Sequence, residues 1–211
     1  MMNTHSKKFI TAGTDLKTAG KVLILLHGRG ATAEDIISLA GYLKLGNTHI
    51  VAPQATNNAW YPYSFLSPRQ QNEPWLSSAL QLLDTILQDI LLAGFKSEQV
   101  FILGFSQGAC LALEFAAHNA RPFAGVIAFT GGLIGNVLED KNYQGDFAGS
   151  KVFIGNSDKD PHVPASRSME SKRIMENLGA RVTLKIYPGM LHTVNDDELD
   201  WVNEHIFTAG L

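Results

Sequence analysis

What the chain has little of already narrows its class. It holds one cysteine, Cys110, in 211 residues. No disulfide can form within it, and a packed, inert thiol is the expected role. No apolar run approaches the roughly 20 residues that a membrane-spanning helix needs. The stretch Met1 to Ala19 carries lysines but lacks the apolar core of a secretory leader. Strong charge of either sign is absent too: Lys and Arg number 17 against 20 acidic residues, for a net charge of −3. That leaves no basic footprint for nucleic acid. The expected protein is cytoplasmic, without integral membrane association, and compatible with a homodimer. At 45% hydrophobic and 18% charged residues the composition is globular. The length suits one domain over residues 1–211, with no internal repeat or linker.

What is present is an alternation of strand-like and helix-like segments. Strands are expected at Val22–Leu26, His49–Ala52, Val100–Phe105, Gly125–Phe129, Val152–Gly155 and Val182–Tyr187. Several are unbroken Val, Ile, Leu and Phe runs, as in strands covered on both faces. Phe9–Ala12, turning at Gly13-Thr14-Asp15, reads as an antiparallel edge strand. Helices are expected at Glu34–Leu43 behind a Thr32 cap, Trp75–Ala93, Gln107–His118, Ser166–Leu178 and Asp196–Ile206. In the longest, Leu76, Leu80, Leu83, Leu87 and Ile90 recur by threes and fours and make one apolar stripe, with Pro74 at its start and Gly94 at its end. The fold class is therefore α/β, a mostly parallel sheet with helices on both faces. Two long loops, 53–73 and 131–149, resist this scheme, and such loops tend to be functional.

The chemistry centres on Gly104-Phe105-Ser106-Gln107-Gly108, which lies between a buried-type strand and a helix. G-x-S-x-G in that context is a nucleophile elbow, flanked by glycines because the turn leaves no room for Cβ atoms. A serine needs a histidine to take its proton and a carboxylate to orient that histidine, in the chain order Ser, acid, His. Of seven histidines, His5, His27 and His49 precede the serine, His118 ends the elbow helix and His205 lies late in the last helix. His192, in the loop after the last strand, satisfies the order. For the acid, Asn156 to Pro164 offers Asp158 and Asp160. Asp160 is favoured because Pro161 stiffens the chain behind it, leaving Asp158 to orient the loop. His162 beside these aspartates lacks the further ligands a catalytic zinc requires, so no metal or other cofactor is expected. An oxyanion hole needs two backbone N–H groups. One is expected from Gln107 at the helix N-terminus, the other from Gly28 or Arg29 in the loop His27-Gly28-Arg29-Gly30.

With these residues in hand, the chain resembles the phospholipase/carboxylesterase family of α/β hydrolases, which includes acyl-protein thioesterases and small bacterial carboxylesterases. The likeness rests on Leu26-His27-Gly28-Arg29-Gly30, Gly104-Phe105-Ser106-Gln107-Gly108-Ala109, Asp158 to Pro164 and Gly189-Met190-Leu191-His192, and it runs over nearly the whole chain. It implies a hydrolase fold with a minimal lid, Ser106, Asp160 and His192 as triad, and Arg29 and Gln107 as oxyanion donors. The eukaryotic thioesterases of that family carry an apolar residue followed by Gly-Asp at the position of Arg29. Gly28-Arg29-Gly30-Ala31 is the variant of bacterial esterases, and it points to small-molecule esters rather than protein depalmitoylation.

The expected function is a serine carboxylesterase acting on small carboxylic esters. The alternatives are a lysophospholipase or acyl-protein thioesterase, a hydrolase of another bond such as a peptidase or lactonase, and a non-catalytic binding scaffold. Substrate-binding candidates are Trp60, Phe65, Leu133, Val163 and Met190, with Tyr61 and Ile134 beside them. The Arg29 guanidinium is expected either at the pocket rim, favouring substrates that bear a carboxylate, or paired with Glu34 or Asp35.

Overall fold

The computed structural model describes residues 5–208. Seven strands form one sheet: β1 (Phe9–Gly13), β2 (Lys21–Leu26), β3 (Thr48–Pro53), β4 (Val100–Phe105), β5 (Gly125–Phe129), β6 (Lys151–Ser157) and β7 (Arg181–Tyr187). Their order is β1-β3-β2-β4-β5-β6-β7. Every pairing is parallel except β1 with β3, where Phe9 faces Pro53 and Gly13 faces His49. The interior strands β2, β4, β5 and β6 are buried almost throughout, which accounts for their unbroken apolar sequences.

Helices cover both faces. On one lie α2 (Trp75–Leu92), α3 (Gln107–His118) and α4 (Ala165–Asn177), packing Leu76, Leu83, Leu111, Phe115 and Ile174 against Ile24, Ile102 and Ile154. On the other, Ile36 of α1 (Ala33–Leu39) and Val202 of α5 (Asp196–Val202) meet Leu23, Leu103 and Phe153. α3 is buried over almost its whole length because α2 screens it from solvent. The stripe on α2 is wider than its leucine spacing suggests: Ala79, Leu82 and Ile86 join it, while Leu80 is only half-buried. Two helices end earlier than expected. α1 begins at the Thr32 cap but stops at Leu39, passing into a tight turn, Ala40–Tyr42, before Leu43 extends. After Val202, α5 widens into a π turn, Asn203–Phe207. There the Asn203 side chain bonds the Tyr42 carbonyl and the Lys44 N–H, tying the two helix ends together.

This strand order has one reversal point. The chain leaves β2 toward β3 on one side and leaves β4 toward β5 on the other. The loops leaving β2 and β4 therefore part company, and a crevice opens outside their carboxyl ends. Gly28 and Ser106 lie in those two loops.

Candidate active site

Ser106 occupies a backbone conformation that non-glycine residues rarely adopt, φ 55° and ψ −119°. The surrounding sequence makes the turn feasible. A Cβ on Gly104 would run into the Gly108 backbone, and one on Gly108 into the carbonyl of Leu26. β4, α3 and β2 thus approach more closely than any side chain allows. The Ser106 N–H bonds the Phe129 carbonyl of β5 at 3.0 Å, which fixes the turn from the other side.

Above the serine, His192 Nε2 lies 2.7 Å from Ser106 Oγ, and His192 Nδ1 lies 2.7 Å from Asp160 Oδ2. The other oxygen of Asp160 accepts the N–H groups of His162 at 2.7 Å and Val163 at 2.8 Å. Burial works against the charged form of Asp160. The His192 bond and the two backbone N–H groups outweigh it and hold the carboxyl below its ordinary range. Asp158 does a different job: its Oδ1 accepts the Gly189 N–H at 2.7 Å, and Ser157 Oγ donates to the Met190 carbonyl. The acid loop and the histidine loop are thereby joined at their bases. Two positions along the chain separate the aspartate that meets the imidazole from the one that braces its loop.

The two candidate oxyanion donors are held by side chains. Gln107 opens α3, so its N–H has no intrahelical acceptor. The Arg29 N–H meets no acceptor among the described residues. Its peptide is aimed from behind: His27 Nδ1 lies 2.8 Å from the Gly28 oxygen, while His27 Nε2 accepts the Ala55 N–H at 3.1 Å. That pair of bonds makes Nδ1 the donor, and because a trans peptide points its C=O and N–H in opposite directions, gripping the oxygen directs the Arg29 N–H away from His27. Burial lowers the His27 pKa and keeps the ring neutral, as this tautomer requires.

A strap formed by residues 58–63 completes the frame. Gln107 Oε1 accepts the Trp60 N–H at 2.9 Å and its Nε2 donates to the Tyr61 carbonyl at 2.8 Å. The Arg29 guanidinium donates to the Pro62 and Tyr63 carbonyls at 2.9 and 2.7 Å. Gly30 N–H reaches the Asn58 carbonyl, and Trp60 Nε1 donates to the His27 carbonyl. Arg29 thus lies at the cavity edge and is paired with neither acid suggested for it. Asp35 instead closes the Thr32 capping box, and Glu34 is exposed.

A cavity of about 570 Å³ opens over the serine, lined by Arg29, Tyr61, Phe65, Ser106, Gln107, Cys110, Val163 and His192, with Tyr63, Ser64 and His162 toward its mouth. Phe65, Val163 and Tyr61 therefore lie where substrate would. Three other candidates do not line it. Trp60 is fully buried beneath the strap, its ring 4.9 Å from that of His27, because its indole N–H is drawn to a backbone carbonyl. Leu133 is buried and faces α4, where Arg167 and Ser171 bond its backbone. Met190 serves the loop base, its carbonyl accepting from Ser157 and its sulfur meeting Asn195. Ile134 borders a separate hollow beside Glu114 and His118. His118 pairs with Glu114 away from the serine, and His205 stacks on Trp201 at the surface. Burial pushes the Cys110 thiol up to about 12, leaving it uncharged. The roles of His27 and of the Gln107 side chain went unread in the sequence. Chain order excludes His27 as the catalytic base, yet a histidine directly before an oxyanion loop is a signal for this bracing role.

A sequence profile described as phospholipase/carboxylesterase matches residues 6–209. The crystal structure of a phospholipase/carboxylesterase from Dyadobacter fermentans is 52% identical and superposes with a TM-score of 0.96, covering 98% of this chain and 99% of that one. Acyl-protein thioesterase 1 of Saccharomyces cerevisiae is 29% identical across 88% of this chain and 91% of its own length. The Bacillus cereus carboxylesterase, at 22% identity and a TM-score of 0.75 over 93% and 92% of the two chains, shares the fold. No helix among the described residues is long and apolar enough to cross a membrane.

Proposed function

Because the chain belongs to the phospholipase/carboxylesterase family and is a serine hydrolase of esters, we propose that it cleaves small carboxylic esters through an acyl-enzyme on Ser106. His192 Nε2 takes the proton of Ser106 Oγ as the oxygen attacks the ester carbonyl, and Asp160 steadies the imidazolium that results. The carbonyl oxygen, now negative, is received by the Arg29 and Gln107 N–H groups, each worth about 3 kcal/mol of barrier. His192 returns its proton to the departing alcohol. Water, deprotonated by the same imidazole, then releases the acid.

The observation that carries this reading is the unbroken relay of 2.7 Å contacts from Asp160 through His192 to Ser106, standing in a cavity bordered by both N–H donors. A binding scaffold needs no such relay. The modest volume of the cavity, about 570 Å³ and lined on one side by the strap, supports small substrates. Two measurements test it. A fluorophosphonate probe should label the wild type and not Ser106→Ala; an unlabelled wild type would sink the proposal. Across p-nitrophenyl esters from acetate to palmitate, kcat/KM should peak at short chains. A maximum at palmitate would transfer the assignment to long-chain acyl or thioester substrates.

A further inference from the structure

The charge on the cavity wall is one-sided. Arg29 lines the cavity that holds Ser106, and no carboxylate among the described residues lines it with Arg29. The triad's own acid stands behind His192, with the Asp160 oxygens taken by His192 Nδ1 and by the N–H groups of His162 and Val163. Nor does Arg29 find an acid elsewhere: among the described residues the arginine ion pairs are those of Arg69, Arg167 and Arg173. A guanidinium keeps its charge at every working pH. The cavity wall therefore carries a permanent positive charge that the protein does not neutralise.

The strap does not require that charge. The Pro62 and Tyr63 carbonyls need donors, and Gln107 shows that a neutral amide can tie the same segment, through Trp60 and Tyr61. Those two carbonyls occupy two of the five guanidinium N–H groups and leave three over. Arg29 is exposed, so a solute entering the cavity can reach it. The guanidinium is also fixed in place, by the two carbonyls and by the Tyr61 ring, whose centre lies 5.9 Å away. Ser64 and His162, which line the same cavity, add an O–H and a ring N–H.

Resting on the esterase reading, we propose that the Arg29 side chain is a specificity-determining cation that holds a carboxylate on the substrate's acyl chain, so that the preferred substrates are half-esters of short dicarboxylic acids. The Arg29 N–H receives the ester oxygen and the Arg29 guanidinium receives the anion. One residue thus sets the spacing between the two groups, and a single side chain's length suits acids from succinic to adipic. Because the guanidinium is already positioned, little ordering is needed when the carboxylate arrives. Hydrolysis then releases the dicarboxylic acid and an alcohol.

The test uses monoethyl succinate, glutarate and adipate, each beside the neutral ester in which a primary amide replaces the free carboxylate. For each enzyme the readout is the ratio of kcat/KM for the best half-ester to that for its amide. Being a ratio, it is independent of how much of a variant is folded. In the wild type it should be about ten or more, the effect of an ion pair made only with the half-ester. Arg29→Gln should bring it down about tenfold, and Arg29→Lys should restore part of it. A purely structural role would lower both esters alike, so a ratio that moves less than about threefold in Arg29→Gln would overturn the inference. A second reading needs no variant: raising sodium chloride from about 0.05 to about 0.5 M should lower the wild-type ratio, and an unmoved one would also refute it. If the wild type hydrolyses neither these esters nor p-nitrophenyl butyrate, the small-ester reading itself fails and takes this inference with it. Turnover with a wild-type ratio near one removes only the role of the Arg29 charge.

Discussion

Glu198 shows how a single residue can set a pH dependence away from the reacting atoms. It lies at the start of α5, just past the His192 loop, fully buried, with Oε2 accepting the Asn195 N–H and Oε1 without a partner. Gly155 of β6 is glycine for its sake, since a Cβ there would overlap the carboxylate. Burial, with the nearby Asp197, outweighs the Asn195 bond and raises the carboxyl from 4.5 to about 7. Folding therefore favours the protonated form. The favourable contribution is complete below 4.5 and is lost as pH rises through about 7. Glu198→Gln keeps an acceptor for Asn195 but carries no charge. It should be more stable than wild type at pH 8 by about 2 kcal/mol, with little difference in acid. Thermal unfolding at pH values across that range checks this, and a variant no more stable at pH 8 would refute it.

At the scale of elements, the strap gives meaning to a loop that looked irregular. Its contacts run to side chains of Arg29 and Gln107, whose backbones are the proposed oxyanion donors, and to the His27 carbonyl. Gln107→Ala leaves the N–H in place but frees Trp60 and Tyr61 from it. We expect kcat to fall about tenfold to a hundredfold, approaching the effect of losing a donor, while KM changes much less. Gln107→Glu should recover little, because a carboxylate cannot donate to the Tyr61 carbonyl. A variant whose kcat matched wild type would mean that the hole holds its shape without the strap.

Across the whole molecule, the sheet and its helices were legible because each rests on local pattern. Continuous apolar runs marked β2, β4, β5 and β6, and recurring leucines marked α2. The family likeness carried the same information. The framing of the site was not legible, because Gln107 and Trp60 are 47 positions apart and polar pairings over such distances leave no periodic trace. Aromatic residues in a loop suggested a pocket, but only the chain's path decides that Tyr61 and Phe65 face the cavity while Trp60 turns beneath it. One global property follows from the relay as drawn. Asp160 is held below its ordinary range, so its carboxylate should keep its charge as the medium is acidified. A spectroscopic titration of the Asp160 carboxyl should find it still mostly ionised at pH 3.8, the ordinary midpoint of an aspartate. A carboxyl half protonated or more at that pH would refute the relay as drawn.

The depth of Trp60 has a practical meaning. Its indole rests on the His27 ring and donates to the His27 carbonyl, beneath both the strap and the loop that presents Arg29. The chain therefore carries an intrinsic fluorophore at the joint of its oxyanion frame. With Trp75 and Trp201 replaced by phenylalanine, emission from Trp60 would report in real time whether that joint is closed.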